Sequence, residues 1–398
     1  MCCLCRMRPD VCGPRCGRSP NAAPAIGRVW SRILSPRCFR DLPAGFIASN
    51  SMQSLLAYWK LYLLAATAAF GLSLLLTPLV RLLALRYGWV DAPSSSVKTH
   101  KVTTPSLGGI AIFFSFIATL LMLRFFTQFP TGTLRSLRGL MLGGGLVFLL
   151  GVVDDLKKPH GLHFKPKFAV QSLAALCLLF FGMSIRFIAP EYLGVGLTLL
   201  WVVGLTNAFN IVDVMDGLSA SQAAIAAAGF LMISLPSEEL YVNFASAALA
   251  GAALGFVPWN LSSRHKIFMG DSGSMTLGFI LAGLALGTRY SDINDLGVFA
   301  PLLILLVPMY DTILVMCLRL RRGQSPFLGS KDHFALRLEK MGYSRGQVVG
   351  LAALASVFLS FCAFLVTQLS LVWALCIYAA IFVEVLLLSR VLAKVEIW

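Results

Sequence analysis

Long apolar runs alternate with short polar cassettes along most of this chain. The runs lie at roughly 55 to 80, 107 to 129, 137 to 153, 168 to 188, 193 to 209, 218 to 235, 241 to 258, 274 to 290, 298 to 318, 347 to 367 and 370 to 390. Most approach the ~20 residues that an α-helix needs to cross about 30 Å of hydrocarbon. They are rich in Leu, Ala, Val and Phe with internal Gly, and they lack the alternation of a membrane β-strand, so helix is the backbone solution available in lipid. The pattern predicts an all-α polytopic membrane protein of about 11 transmembrane helices, organised as one domain over 53–395.

Four polar cassettes interrupt the runs: Val-Asp-Asp-Leu-Lys-Lys at 153–158, Asn-Ala-Phe-Asn-Ile-Val-Asp-Val-Met-Asp-Gly at 207–217, Phe-Met-Gly-Asp-Ser-Gly at 268–273 and Lys-Asp-His at 331–333. Each stands at the end of a run. Threading the runs back and forth brings all four to one membrane face. A carboxylate costs roughly 2.5–3.5 kcal/mol at a bilayer centre even on insertion scales, so repeated Asp at helix ends calls for a cation or a reaction.

Composition agrees with the pattern and adds an orientation. The chain is 58% apolar and only 13% charged, with a mean hydropathy of +0.79, against about 25% charged for soluble domains. If the first span runs inward, the segments 81–106, 154–167, 259–273, 319–346 and the end beyond 389 hold 19 Lys and Arg. The opposite flanks hold five: Arg124, Arg135, Arg138, Arg186 and Arg289. The positive-inside rule then sets the cassettes on the cytoplasmic face of the cell (inner) membrane. The formal charge of +15 reads as attraction to anionic lipid and anionic substrate. No basic stripe with interleaved aromatics points to a nucleic-acid partner.

The first 51 residues differ. They hold six of the ten Cys (Cys2, Cys3, Cys5, Cys12, Cys16, Cys38), eight Arg and two acids. There is no signal-peptide core, and the Cys spacing is irregular and lacks His, which argues against a thiolate metal site. The segment 1–52 is expected to be a disordered, basic tail, with Met52 as an alternative start. The remaining cysteines, Cys177, Cys317, Cys362 and Cys376, read as small core residues.

The cassettes carry distinct chemistry. Asp154 and Asp155, followed by Lys157, Lys158, His160, His163, Lys165 and Lys167, suit a place where phosphates and a divalent ion meet, since Mg²⁺ commonly shares its oxygen ligands with substrate phosphates. The plainer alternative is a solvated helix end. Asn207, Asn210, Asp213 and Asp216 recur every three residues, which on a helix puts them along one face; a polar cap would need only one or two. Asp271 lies among glycines, where exposed amides at a helix start favour phosphate, and Phe268 beside it can stack on a flat base or merely anchor the boundary. Lys331, Asp332 and His333, with Arg337 four residues on, offer cations for a diphosphate. Lys98 and His100 add cations from the 84–106 loop.

From about Trp89 to Gln347 the chain resembles the polyprenyl-phosphate N-acetylhexosamine-1-phosphate transferase family. The resemblance rests on Pro105-Ser-Leu-Gly-Gly109, Asp154-Asp-Leu-Lys-Lys158, Asn207 to Gly217 and Phe268 to Ser274 in the family's order and spacing. It implies transfer of a sugar 1-phosphate from a UDP-sugar donor to a membrane polyprenyl phosphate, with release of UMP, to begin a cell-envelope glycan. It implies Mg²⁺, leaves room for Mn²⁺, and allows a homodimer. By that resemblance Asp271 and Asn210 match metal positions, Asp154 and Asp155 the catalytic acid pair, Asp213 and Asp216 the acidic motif near the nucleotide, Phe268 the base-stacking position, and Lys158 and Lys167 the phosphate-binding lysines. Asp216 and His333 complete the candidate catalytic groups, and Lys98, His100, Lys165, Asn207 and Arg337 the candidate substrate contacts.

Two departures refine the expectation. The branch acting on the large peptidoglycan precursor, phospho-MurNAc-pentapeptide, carries a triple-His loop late in the chain, whereas 325–337 here holds a single His. The chain therefore looks more like the UDP-N-acetylglucosamine branch. Val214 also stands where the family pattern has Gly. The rival class, a secondary transporter, would place ionisable residues near the membrane midplane, and only Asp311 and Glu384 qualify.

Overall fold

The computed structural model describes residues 44–92, 102–127, 129, 131–158, 161–235, 239–288, 290–326 and 331–395, with side chains from Tyr58 onward. The chain divides into a unit Met1–Ser49, of which only helical backbone from Ala44 is described, and a unit Asn50–Trp398 that holds everything below. Lys98, His100, His160 and the tail before Ala44 lie outside the described residues. Helical backbone from Ala44 means that part of the segment expected to lack structure, 44–52, belongs to the first helix.

The helices are α1 (Ala44–Tyr87), α2 (Gly109–Phe126), α3 (Thr131–Leu156), α4 (Phe164–Phe180), α5 (Glu191–Val212), α6 (Leu218–Ser234), α7 (Leu240–Leu261), α8 (Gly270–Ala285), α9 (Ala300–Ile304), α10 (Leu306–Arg321), α11 (Phe334–Lys340), α12 (Arg345–Gln368) and α13 (Leu371–Ala393). A 3₁₀ turn, Asp295–Phe299, precedes α9. A two-residue hairpin pairs β1 (Val90–Asp91) with β2 (Thr104–Pro105), antiparallel, with Val90 opposite Pro105.

Every apolar run of the sequence contains helix, yet among the described residues seven helices are long and apolar enough to cross a membrane, or eight if the pair Asp295–Ile304 and Leu306–Arg321, bent by 72°, is one span. The difference from eleven runs lies in α4, α6 and α8, which have 17, 17 and 16 residues. α4 and α8 stop at Phe180 and Ala285, short of the ends of their apolar runs.

Exposed side chains on the outer helices are apolar, as Phe125 at 88% and Leu75 at 68% illustrate, which suits a lipid-facing exterior. Cys317 and Cys376 are exposed as well, and only Cys362 of the four is buried, so the expected core role holds for one of them. In lipid no hydrophobic effect drives helices together, and close approach of small residues does that work. The centre of the bundle follows this rule. α8 passes α2 where a Cβ on Gly109 would lie 2.1 Å from Gly273 N, and α3 where one on Gly151 would lie 2.4 Å from Ser272 Cα. A Cβ on Gly278 would meet Leu205 O of α5 at 2.5 Å. α8 is thereby clamped among α2, α3 and α5, and its first turn carries Asp271 to the same end of the bundle as the last turns of α3 and α5.

Candidate active site

A cavity of about 1120 Å³ opens at that end, and all four cassettes contribute to its wall: Lys158, Asn207, Asn210, Asp213, Asp216, Phe268, Asp271 and His333 line it, together with Lys167 from α4. A smaller cavity of about 580 Å³ is lined by Phe187, Trp201, Tyr241, Tyr290 and Arg186, and no cassette residue reaches it. Chemistry therefore belongs to the larger one.

Its floor is built around Asp271. Lys167 Nζ lies 2.9 Å from Asp271 Oδ2 and 2.6 Å from Asp154 Oδ2. Lys158 Nζ lies 3.6 Å from Asp271 Oδ1 and 2.7 Å from Asp155 Oδ1. The half-buried Asp271 thus sits between two ammonium groups, each backed by an acid whose side chain is 3% or 0% exposed. Burial works to lower the Lys158 pKa, but Asp271 and Asp155 outweigh it and hold the ammonium well above its ordinary value.

Asp154 and Asp155, expected to be the catalytic acid pair, are buried here and are not part of the cavity lining. Asp155 Oδ1 accepts from Asp271 N and Oδ2 from Ser272 N, each at 3.0 Å. It is the cap of α8, supplied by another helix, and it consumes the amides that sequence reasoning reserved for phosphate. Gly270 makes this possible, because it adopts φ +74° and a Cβ there would lie 2.4 Å from Asp155 Oδ2. Asp154 accepts from Leu162 N and holds Lys167, fixing the 161–163 turn beneath the cavity.

The polar stripe begins on a helix and ends in a turn. α5 stops at Val212 with Asp213 as its cap, and Gly217, at φ +77°, opens α6. Asn207 donates to Gln171 Oε1 at 2.6 Å and to Val203 O at 2.8 Å. Asn210 Nδ2 donates to Ser274 Oγ at 3.0 Å, which leaves its carbonyl oxygen as the atom to offer a cation. Burial, with Asp271 and Asp216 adding like charge, pushes the pKa of Asp213 up to about 8.

Phe268 is held by backbone pairing with the Pro105 to Gly109 segment: Phe268 N donates to Pro105 O at 2.8 Å, and Gly108 N to Phe268 O at 2.9 Å. Lys266 Nζ lies 5.0 Å from the Phe268 ring centroid and pairs with Asp216. Sequence reasoning passed over Lys266, although its place two residues before Phe268 was a usable signal. It also passed over Arg319 as a lining residue.

Arg337 is the clearest correction. Its guanidinium is fully buried, donating to Asp332 Oδ1 at 2.6 Å and to Leu392 O at 2.8 Å. It fastens α11 to the end of α13 and is not presented to a diphosphate. Lys165 is exposed and outside the cavity lining.

Among the described residues no group of three His, Cys, Asp or Glu side chains is assembled to hold a metal alone. Asp271, Asn210 and Asp213 nonetheless line the same cavity and offer oxygen atoms to a cation. That fits Mg²⁺, which keeps waters and draws further ligands from substrate phosphates.

Residues 137–289 match the glycosyl transferase family 4 model. The chain is 30% identical over 280 residues to a probable undecaprenyl-phosphate N-acetylglucosaminyl 1-phosphate transferase of Bacillus subtilis, covering 68% of this chain and 75% of that protein. It is 33% identical over 322 residues to a decaprenyl-phosphate N-acetylglucosaminephosphotransferase of Mycolicibacterium smegmatis, covering 73% and 78%. With an undecaprenyl-phosphate alpha-N-acetylglucosaminyl 1-phosphate transferase of Escherichia coli it shares 28% over 293 residues, 70% and 77% of the two chains. The chain belongs to the polyprenyl-phosphate N-acetylglucosamine-1-phosphate transferase family. Val214, the departure from the family pattern, causes no backbone conflict: among the described residues Leu107 is the one non-glycine with positive φ. The turn is completed by Gly217 instead.

Proposed function

We propose that the protein transfers N-acetylglucosamine 1-phosphate from UDP-N-acetylglucosamine to a polyprenyl phosphate, undecaprenyl phosphate in the first instance, releasing UMP and leaving a polyprenyl-diphosphate sugar. The observation that carries this reading is the single cavity in which two lysines flank Asp271 while Phe268, Asp213 and Asp216 stand on the same wall. Two anionic phosphates must approach each other, so the work is positioning and charge compensation. Lys158 and Lys167 offset the donor diphosphate and the acceptor phosphate. The Phe268 ring offers a face to the uracil base, and Lys266 lies within reach of the same nucleotide. Asp155 holds the start of α8, and Asp154 keeps Lys167 in place.

Asp271 and Asn210 would hold Mg²⁺, or Mn²⁺ in its place, which would supply further positive charge to the reacting phosphates. The positive-inside bias supports a cytoplasmic site in the inner membrane, with the 11 apolar runs as crossings or half-crossings. A site at helix ends meets a soluble donor from water and a lipid acceptor from the bilayer.

The test is UMP release by purified full-length protein with Mg²⁺, a short polyprenyl phosphate and a panel of UDP-sugars. UDP-N-acetylglucosamine should be the best donor and the peptide-bearing UDP-MurNAc a poor one. Comparable turnover on the peptide-bearing donor would overturn the branch assignment, and no UMP from any donor would overturn the enzyme reading.

A further inference from the structure

Asp311 lies on α10 with its side chain wholly buried, in a stretch of otherwise apolar helix, and the transfer reaction as described gives it no task. Its two oxygens are spent on consecutive residues of the segment that opens α11. Oδ1 accepts from Phe334 N at 2.8 Å, and Oδ2 lies 2.8 Å from His333 Nδ1. The neighbouring residue is pinned as firmly. Asp332 binds Arg322 Nη1 at 2.9 Å and Arg337 Nη2 at 2.6 Å, and Arg319 Nη1 donates to Pro326 O at 2.6 Å. His333, which lines the cavity, is therefore held at Nδ1 by Asp311, in a segment that Asp332 and Arg319 fix on either side in sequence.

A carboxylate can only accept, so the nitrogen against Asp311 must carry the ring proton. In the neutral ring the opposite nitrogen, Nε2, is then the unprotonated one, on a residue that lines the cavity. We propose that Asp311 is a positioning residue that fixes the tautomer and orientation of His333, so that Nε2 is presented to the UDP-sugar as a hydrogen-bond acceptor for a ligand N–H or O–H. The inference deepens the transferase reading and rests on it.

The carboxylate is used at both oxygens, and this makes Asp311→Asn informative. An Asn side chain has one oxygen. If it continues to accept from Phe334 N, its amide faces His333 Nδ1 and makes that nitrogen the acceptor, which moves the ring proton to Nε2. A group that only filled space would leave the tautomer alone.

The experiment uses the full-length chain, labelled with ¹⁵N-histidine, in lipid nanodiscs. The chain has five histidines, and the signals lost in H333Q belong to His333. The wild type should show Nδ1 protonated and Nε2 unprotonated, and D311N should exchange the two. In UMP release D311N should lose roughly 10- to 100-fold in kcat/KM for the donor, by analogy with histidines whose orienting partner is removed at metal sites. The double variant D311N/H333Q should be no slower than H333Q alone, because Asp311 acts through the ring. A wild-type His333 protonated at Nε2 would overturn the proposal, as would a D311N loss that adds in full to that of H333Q. The wild-type spectrum stands even if D311N misfolds. Absence of UMP release by the wild type would count against the transferase reading, while the tautomer would still be read from the nitrogen shifts.

Discussion

The floor and the side wall of the cavity use buried acids in opposite ways. At the floor, Asp154 and Asp155 back the ammonium groups of Lys167 and Lys158, which swing on flexible stems and also reach Asp271. At the wall, Asp311 and Asp332 hold an imidazole, guanidinium groups and a backbone amide, all planar and directional. An ammonium is a compact point charge that rearranges as charge arrives, whereas a guanidinium or an imidazole fixes a direction. The floor is thus suited to compensate a changing phosphate charge, and the wall to keep a constant shape. In both regions the acids that are buried serve other side chains. The acids left at the cavity, Asp91, Asp213, Asp216 and Asp271, are the ones at hand for a cation or a nucleotide.

This contrast can be broken first at Asp271. Asp271→Asn keeps the shape of the floor but removes the charge between the two lysines, and turnover should fall by about 10²–10³-fold or more, as when one stabilising group is lost from an electrostatic site. The folded yield by size exclusion should be unchanged. A variant that kept most of its UMP release would show that the floor is not organised around this residue.

At the wall the expected damage is to stability. Arg337→Met leaves Asp332 with one charged partner fewer in a buried place, a change that typically costs about 3–5 kcal/mol. Melting in detergent should drop sharply, while KM for the donor in the surviving folded fraction stays near the wild-type value. A raised KM with normal melting would return Arg337 to the substrate contacts.

Asp155→Asn probes the floor's own scaffold. It weakens the cap on Asp271 N and Ser272 N and the hold on Lys158, at about 1–3 kcal/mol for hydrogen bonds left unmade in a buried place. Stability and activity should fall together. An activity loss with unchanged melting would mean that Asp155 acts on substrate after all.

The narrowest effect, confined to the pH dependence of stability, is expected at Asp213. Its pKa in the folded protein, about 8, is raised above that of an unfolded carboxylate near 3.9. Its contribution to metal-free stability is therefore fully present below about pH 4 and is lost as pH rises toward 8. Asp271, Lys158, Asp216 and Asp155 all act on it. Asp213→Asn should flatten the fall in melting temperature across that window, and an unchanged slope would refute the assignment of burial as the cause.

Much of this protein was legible in one dimension. Apolar runs about as long as a bilayer is thick dictate helices, because lipid offers no other partner for the backbone, and each run contains helix here, the one at 298–318 broken into a 3₁₀ turn and two helices. The cassettes were legible because Asp, Asn and Lys at the ends of greasy helices have no packing role, and they meet at one cavity. The helix ends were less so: α4 and α8 stop at Phe180 and Ala285, before their apolar runs do, and α5 continues into its cassette as far as Val212.

What only the tertiary structure decided is which way each charged side chain turns. Adjacent in sequence and alike in chemistry, Asp154 and Asp155 turn to different partners, because Gly270 lets α8 descend onto Asp155 and the 161–163 turn closes over Asp154. Arg337 is one helical turn from His333 in sequence, yet it is buried against Leu392 of the last helix. Asp311, met in the sequence as a stray acid in an apolar run, found its partners 22 and 23 residues downstream. A sequence specifies how many charges the chain must accommodate and roughly at which depth. The direction of each is set by which partner reaches it at hydrogen-bonding distance, and such distances follow from how glycine-lined helices cross, a property of the packed bundle that no local pattern carries.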